Sequence, residues 1–107
     1  MPPYTMGAMH DDIEQRIKEE RARVTALDST LDAERTPYLK GRLQRAADIL
    51  DDAVDALHFA DIAEPNYVTM WTGFAETNIE IAAQLRQKVK AAVDKFGGPD
   101  HIIEMGG

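Results

Sequence analysis

Residues 65–96 contain a row of mostly apolar side chains at alternating spacings of three and four positions. Such a heptad row lies along one face of an α-helix. Phe74, Ile79, Ile81 and Val93 flank the row and widen the predicted core seam, so a helix here can be covered on more than one side. The segment therefore predicts a long C-terminal helix that packs against other helices. The row consists of Val68, Trp71, Ala75, Asn78, Ala82, Leu85, Val89, Ala92 and Phe96.

Two shorter helices are predicted before this one. Residues 11–33 carry a narrow apolar line, which Glu20 interrupts. A narrow line is typical of a helix that packs along a single seam. Thr36 and Pro37 together predict the start of a second helix, with a capping hydroxyl followed by proline at the first helical position. This second helix is expected to cover residues 37–62.

The start of the third helix has two interpretations. Pro65 suits the first helical turn and restricts the residue before it, which favours a helix over residues 65–96. Residues 67–72 have strong β-propensity, and in the second interpretation the helix begins near Gly73. Short connections favour antiparallel neighbours. The predicted fold is all-α: an antiparallel three-helix bundle, or a helical hairpin with a long C-terminal helix, with coiled-coil-like packing.

The chain has 107 residues, which is enough for one domain. We expect a flexible N-terminal segment at residues 1–10, where two adjacent prolines disfavour a regular helix. A three-helix domain is expected at residues 11–98. A Gly-Gly-Pro sequence ends the last helix, so residues 99–107 are expected to form a C-terminal tail.

Composition limits the function. The chain has no cysteine, which excludes disulfides, zinc–thiolate sites and thiol nucleophiles. No apolar run reaches about 18 residues and no secretory signal is visible, so we expect a cytoplasmic protein without membrane contact. The formal net charge is −7, which argues against direct nucleic-acid binding through phosphate neutralisation.

The sequence offers little support for catalysis. His58 follows Asp55 by three positions and precedes Asp61 by three, a helical spacing that suits two ligands of one metal. A di-metal bundle needs a second such pair and bridging glutamates, so a solvated histidine is the simpler interpretation. No phosphate-binding glycine loop or Ser-His-Asp arrangement is present. We expect no catalytic residue, metal or cofactor, with a metal-dependent helical-bundle enzyme as an alternative.

Apolar and aromatic residues cluster around the second helix break. Phe59, Ile62, Tyr67, Met70 and Trp71 lie within thirteen positions of one another. One interpretation is local packing of the third helix on the end of the second. The other is an exposed patch, which is typical of an interface with a protein partner. The five residues are therefore the candidate partner interface.

The charge distribution suggests how such contacts could form. The second helix has a basic start and an acidic end, and the third has an acidic start and a basic end. In an antiparallel pair these form one negative and one positive end, which favours head-to-tail contacts between copies in a ring or stack. We therefore expect a non-catalytic helical assembly or adaptor protein that self-associates. As an alternative, the acidic face at residues 48–61 mimics nucleic-acid charge and inhibits a basic partner.

A short motif supports another alternative. Trp71, Thr72 and Gly73 match the W-x-G turn of the small secreted helical-hairpin proteins named for that motif, and the chain resembles that family in length. Residues 96–100 resemble its C-terminal aromatic-x-x-x-acid export signal. The resemblance implies a type VII secretion substrate that acts as a dimer. The chain departs from the family because its motif lies in the last third and another helix precedes the hairpin.

Asn78 is the polar member of the heptad row. A polar residue at such a position can specify register or oligomeric state at a cost in stability. We expect Asn78→Leu to raise the thermal midpoint and to broaden the distribution of oligomers in sedimentation velocity. An unchanged sedimentation profile would contradict the role in specificity.

Overall fold

The computed structural model describes residues 6–96, and the side chains of residues 10–95. Within this part of the chain there are three helices and no strand: α1 (Met6–Asp28), α2 (Pro37–Ile62) and α3 (Pro65–Phe96). The end of α1 meets the start of α2, and the start of α1 meets the end of α2. Ring contacts join the end of α2 to the start of α3. The predicted all-α antiparallel bundle is confirmed.

The bounds of α2 and α3 are those predicted, so the alternative start near Gly73 is wrong. The bounds of α1 are shifted towards the N-terminus. It begins at Met6, so residues 6–10, which were expected to be flexible, form its first turns. It ends at Asp28 rather than at residue 33. The expected tail at residues 99–107 lies outside the described residues.

Side chains beyond Asp28 explain the early end of α1. The hydroxyl groups of Ser29 and Thr30 donate to the carbonyls of Ala26 and Leu27, each at 2.7 Å. Such bonds satisfy carbonyls that would otherwise accept from the next helical turn. Lys40 Nζ of α2 also donates to the Asp28 carbonyl, at 2.9 Å. The last turn of α1 is therefore closed partly by a side chain from another helix.

The connection at residues 29–36 is ordered by Asp32. Its carboxylate accepts from the backbone N–H of Glu34 at 2.7 Å, an arrangement typical of Asx turns. The Thr36 hydroxyl donates to the Asp32 carbonyl at 2.8 Å and makes no capping bond to α2. Pro37 is the first residue of α2, as predicted, but the prediction that the Thr36 hydroxyl caps the helix is wrong. The hydroxyl is buried and stabilises the turn before the helix instead.

The largest helix interface lies between α2 and α3, and α1 contacts both of these helices to a smaller, equal extent. Both of these helices carry fully buried alanines, at Ala46 and Ala53 of α2 and Ala75 and Ala82 of α3. Small side chains let helix backbones approach closely. Larger buried side chains fill the space between the three helices: Ile13, Ile17, Val24, Leu31, Leu39, Leu43, Leu50, Leu57, Ile79 and Val89.

The buried face of α3 differs from the predicted row. Ile79, outside the row, is buried, whereas Trp71, Asn78 and Leu85 are only half-buried. On α3, Arg86 and Glu76 bind side chains of α1. The buried face is therefore turned towards α1, and one edge of the predicted row lies at the boundary with solvent.

The bundle is elongated. Its extents are 56 × 21 × 16 Å and its radius of gyration is 16.7 Å, against about 13 Å for a compact chain of this length. An elongated shape exposes long helix sides. None of the described helices carries an apolar window long enough to cross a lipid bilayer.

Leu50 lies in the middle of α2 and is fully buried. We expect Leu50→Ala to lower the free energy of unfolding by about 2–5 kcal/mol, because it removes buried methyl groups and leaves a cavity. Arg45→Ala, on the exposed side of the same helix, should change it by less than about 0.5 kcal/mol. Urea unfolding followed by circular dichroism measures both values. Equal effects of the two variants would contradict the assigned packing of α2.

Candidate protein-binding surface

Six large apolar side chains remain exposed along the end of α2 and the first half of α3. Their exposed fractions lie between 41% and 81%. A contiguous exposed patch of this kind marks an interaction site more often than scattered single residues do. We call this set the apolar face. It consists of Phe59, Ile62, Tyr67, Met70, Phe74 and Ile81.

Aromatic contacts connect the apolar face to the core. The rings of Phe59 and Trp71 lie 4.9 Å apart between centroids and are tilted by 32°. Trp71 also contacts Phe74, with centroids 6.3 Å apart. Trp71 packs against the buried core, so it supports the two exposed rings from beneath. Separations of this size are favourable for aromatic pairs.

This region shows both the local packing and the exposed apolar side chains that the two interpretations predicted. Phe59 and Trp71 make the local contact between α2 and α3 that the packing interpretation required. Ile62, Tyr67 and Met70 are more than half exposed, as the interface interpretation required. Their proposed role in binding a partner stays a prediction.

Sequence reasoning missed Phe74 and Ile81, which it assigned to a widened core seam. On α3, Tyr67, Met70, Phe74 and Ile81 follow one another at spacings of three, four and seven. These spacings form a second heptad row beside the first. Periodicity shows that both rows exist, but only the positions of α1 and α2 decide which of them is buried.

The apolar face lies on the side of α3 away from α1. Glu76 of α3 pairs with Arg16 of α1 at 3.2 Å. Successive helical residues are turned by about 100°, so Phe74 lies roughly opposite Glu76 around the helix axis. The contact between Arg16 and Glu76 therefore lies on the opposite side of α3 from Phe74.

The W-x-G motif lies inside a helix. Trp71, Thr72 and Gly73 belong to α3, and the Thr72 hydroxyl donates to the Val68 carbonyl at 3.0 Å in the manner of an internal helical threonine. An added Cβ at Gly73 would meet no atom within 4 Å, so no close approach requires glycine there. The turn that the resemblance implies is absent from this position. The export-signal resemblance at residues 96–100 falls largely outside the described residues.

A buried ion pair joins α1 to α3. Glu20 is buried, and its carboxylate accepts from Arg86 Nε and, at 3.3 Å, from Arg86 Nη2. Arg23 of α1 lies 3.5 Å from the same carboxylate. Glu20 interrupts the apolar line of α1 because it meets a guanidinium there. No local sequence pattern identifies this partner, which is 66 positions away.

Basic side chains are concentrated at one end of the bundle and acidic side chains at the other. Lys40 and Arg42, near the start of α2, lie at the same end as Lys88 and Lys90 of α3. The opposite end combines the acidic end of α2 with the starts of α1 and α3. Arg21 and Asp51, 2.7 Å apart, form one of the exposed pairs between helices. Exposed pairs of this kind add little stability, so the uneven distribution matters more for contacts with other molecules.

Asp55 and His58, the predicted candidate pair for a metal, are both exposed on α2. Among the described residues, only His10, Asp11 and Glu14 place three possible ligand atoms within 4.8 Å of one another. His10 Nε2 faces Asp61, with the nitrogen 3.2 Å from the carboxylate oxygen. This buried nitrogen makes no hydrogen bond.

His10 serves the fold by bridging α1 and α2. Its Nδ1 atom faces the Glu14 carboxylate of α1, and its Nε2 atom faces the Asp61 carboxylate of α2. Exposed acidic groups such as Asp11 are common without a bound metal. We therefore assign the ring to the contact between the two helices.

Comparisons with protein families, with curated proteins and with solved structures find no match to this chain.

The Glu20–Arg86 pair makes a prediction about stability. Arg86→Met should lower the free energy of unfolding by about 3 kcal/mol, because it leaves the Glu20 carboxylate buried without its main partner. Glu20→Met combined with Arg86→Met should recover much of this loss, because it removes both charges. Urea unfolding of the two single variants and the double variant gives the coupling energy.

The matched control for this cycle is the exposed pair of Lys90 and Asp94, 2.7 Å apart within α3. Lys90→Met should lower the free energy of unfolding by less than about 0.5 kcal/mol. A similarly small cost for Arg86→Met would show that the Glu20 carboxylate does not depend on it.

Proposed function

We propose that this protein is a non-catalytic helical assembly protein that self-associates through the apolar face. The observation that carries the proposal is the continuation of the core, through Trp71, into exposed aromatic rings on the side of the bundle. A chain of 107 residues that left these rings in water would expose a patch prone to nonspecific association.

The size of the face suits a second copy of the chain. Its six residues expose about 660 Å² in total, at roughly 200 Å² for a fully exposed large side chain. A standard interface buries about 800 Å² on each partner, so the apolar face supplies most of such an interface before any polar rim is added. Aromatic and methionine side chains are also enriched at the centres of interfaces.

The chemistry of the face also favours a protein over other ligands. None of its six side chains is charged, and the hydroxyls in this region are those of Tyr67 and of Thr77, which lies between Phe74 and Ile81. Apolar burial without charge is typical of association between protein surfaces that remain together. An adaptor that binds a different protein would use the same apolar face, but it would remain a monomer in light scattering of the purified protein.

Phe74→Asp tests the proposal, because it places a carboxylate at the centre of the apolar face. We expect the dissociation constant for self-association to rise by at least about 30-fold, as for loss of a central interface residue. Light scattering coupled to size exclusion, over a hundredfold range of protein concentration, measures the change. Circular dichroism confirms that the helices remain.

Tyr38→Asp is the matched control, because Tyr38 is 61% exposed but lies at the other end of α2, outside the apolar face. This variant should associate like the unchanged protein. A monomer at every concentration would overturn self-association, and equal weakening by both substitutions would show that the apolar face is not the contact.

A further inference from the structure

We infer that two copies pair side by side and antiparallel along α3, with a twofold axis that crosses the helix between Phe74 and Thr77. This inference rests on the proposed function, since it specifies how the apolar face meets a second copy. It replaces the head-to-tail ring or stack that the charge distribution alone suggested.

The second heptad row fixes the length of the contact. Its exposed positions on α3 are occupied by Tyr67, Met70, Phe74, Thr77 and Ile81, and are apolar except for Thr77. The next positions of the row are polar, at Gln84 and Lys88, and both are exposed. The apolar part therefore spans about 21 Å of helix, from residue 67 to residue 81.

Overlap of this row with its own copy sets the register. In an antiparallel pair centred between residues 74 and 77, Met70 lies opposite Ile81 of the second copy, and Phe74 lies opposite Thr77. Tyr67 then lies level with Gln84, at the margin of the contact. An isologous arrangement of this kind uses the same surface on both copies and closes at two chains. Phe59 of α2, whose ring contacts Trp71, flanks the row and widens the contact.

Charge selects the antiparallel over the parallel orientation. The apolar row ends near Glu64 on one side and is followed by Lys88 on the other. A parallel pair places Lys88 beside Lys88 and Glu64 beside Glu64, which is repulsive. The antiparallel pair brings Lys88 of each copy to the level of the acidic connection between α2 and α3 in the other, near Asp61 and Glu64. Unlike charges at the two ends of a contact favour this orientation and register.

The position of the face also argues against a head-to-tail arrangement. The row lies on the long side of a bundle with extents of 56 × 21 × 16 Å, whereas a head-to-tail contact buries the short ends. Such a contact would satisfy the charged ends and leave Met70, Phe74 and Ile81 in water. Side-by-side pairing buries these residues and still brings opposite charges together.

Single cysteines test the symmetry, because the chain has no cysteine of its own. In the antiparallel pair, the two copies of residue 77 lie about 5 Å apart along the helix axis, and the two copies of residue 84 about 26 Å apart. We expect oxidation to link most of Thr77→Cys into disulfide dimers and to leave Gln84→Cys unlinked. A mixture of Tyr67→Cys and Gln84→Cys should give the mixed dimer. Nonreducing electrophoresis measures the linked fraction.

The outcomes separate the inference from the proposed function. Efficient self-linking of both Thr77→Cys and Gln84→Cys indicates a parallel pair and overturns the inference. Linking of neither, with association still visible in light scattering, also overturns it but leaves self-association intact. Absence of association in light scattering removes the proposed function itself. Adding Phe74→Asp to Thr77→Cys should abolish the link, and a link that survives this change would show random collision.

Discussion

The close packing of α2 against α3 is the contact on which the rest of the structure depends. The two helices share the largest contact in the bundle. Both carry fully buried alanines, among them Ala53 and Ala82, whose small side chains allow a close approach of helix backbones. The resulting hairpin presents two long sides. α1 covers one of these sides, where its apolar residues fill the groove and Glu20 binds Arg86. The other side begins at Trp71 and carries the apolar face.

The sequence predicted most of this architecture because local signals and long-range packing agree in α2 and α3. Pro37 and Pro65 each begin a helix, since proline suits a first helical position and not an interior one. α1 was predicted less well because contacts with other helices decide its bounds. Lys40 closes its last turn, and His10 lies against Asp61 near its start. A single helix pattern cannot show such partners.

The candidate surface was predicted in part, for a related reason. Phe59 and Ile62 were identifiable because they lie away from the apolar line of their own helix. Phe74 and Ile81 were not, because two heptad rows that lie side by side on one helix look like a single wide apolar face. The position of α1 decides which of the two rows is buried. That position involves contacts between residues far apart in the sequence, such as Glu20 with Arg86. The packing of α1 on the side of α3 that carries Arg86 thus leaves the second row uncovered.

This relation bears on why an apolar row persists on the outer side of α3. A row used only for folding would be expected to lose its aromatic residues where no helix covers it, because exposed rings favour nonspecific association. Here the row stops after Ile81, and polar residues follow at Gln84 and Lys88 although α3 continues to Phe96. The end of the apolar row is therefore not set by the length of α3. It coincides with the stretch that an antiparallel copy of α3 would overlap, and two α2–α3 hairpins joined there would form a four-helix core with one α1 on each outer side.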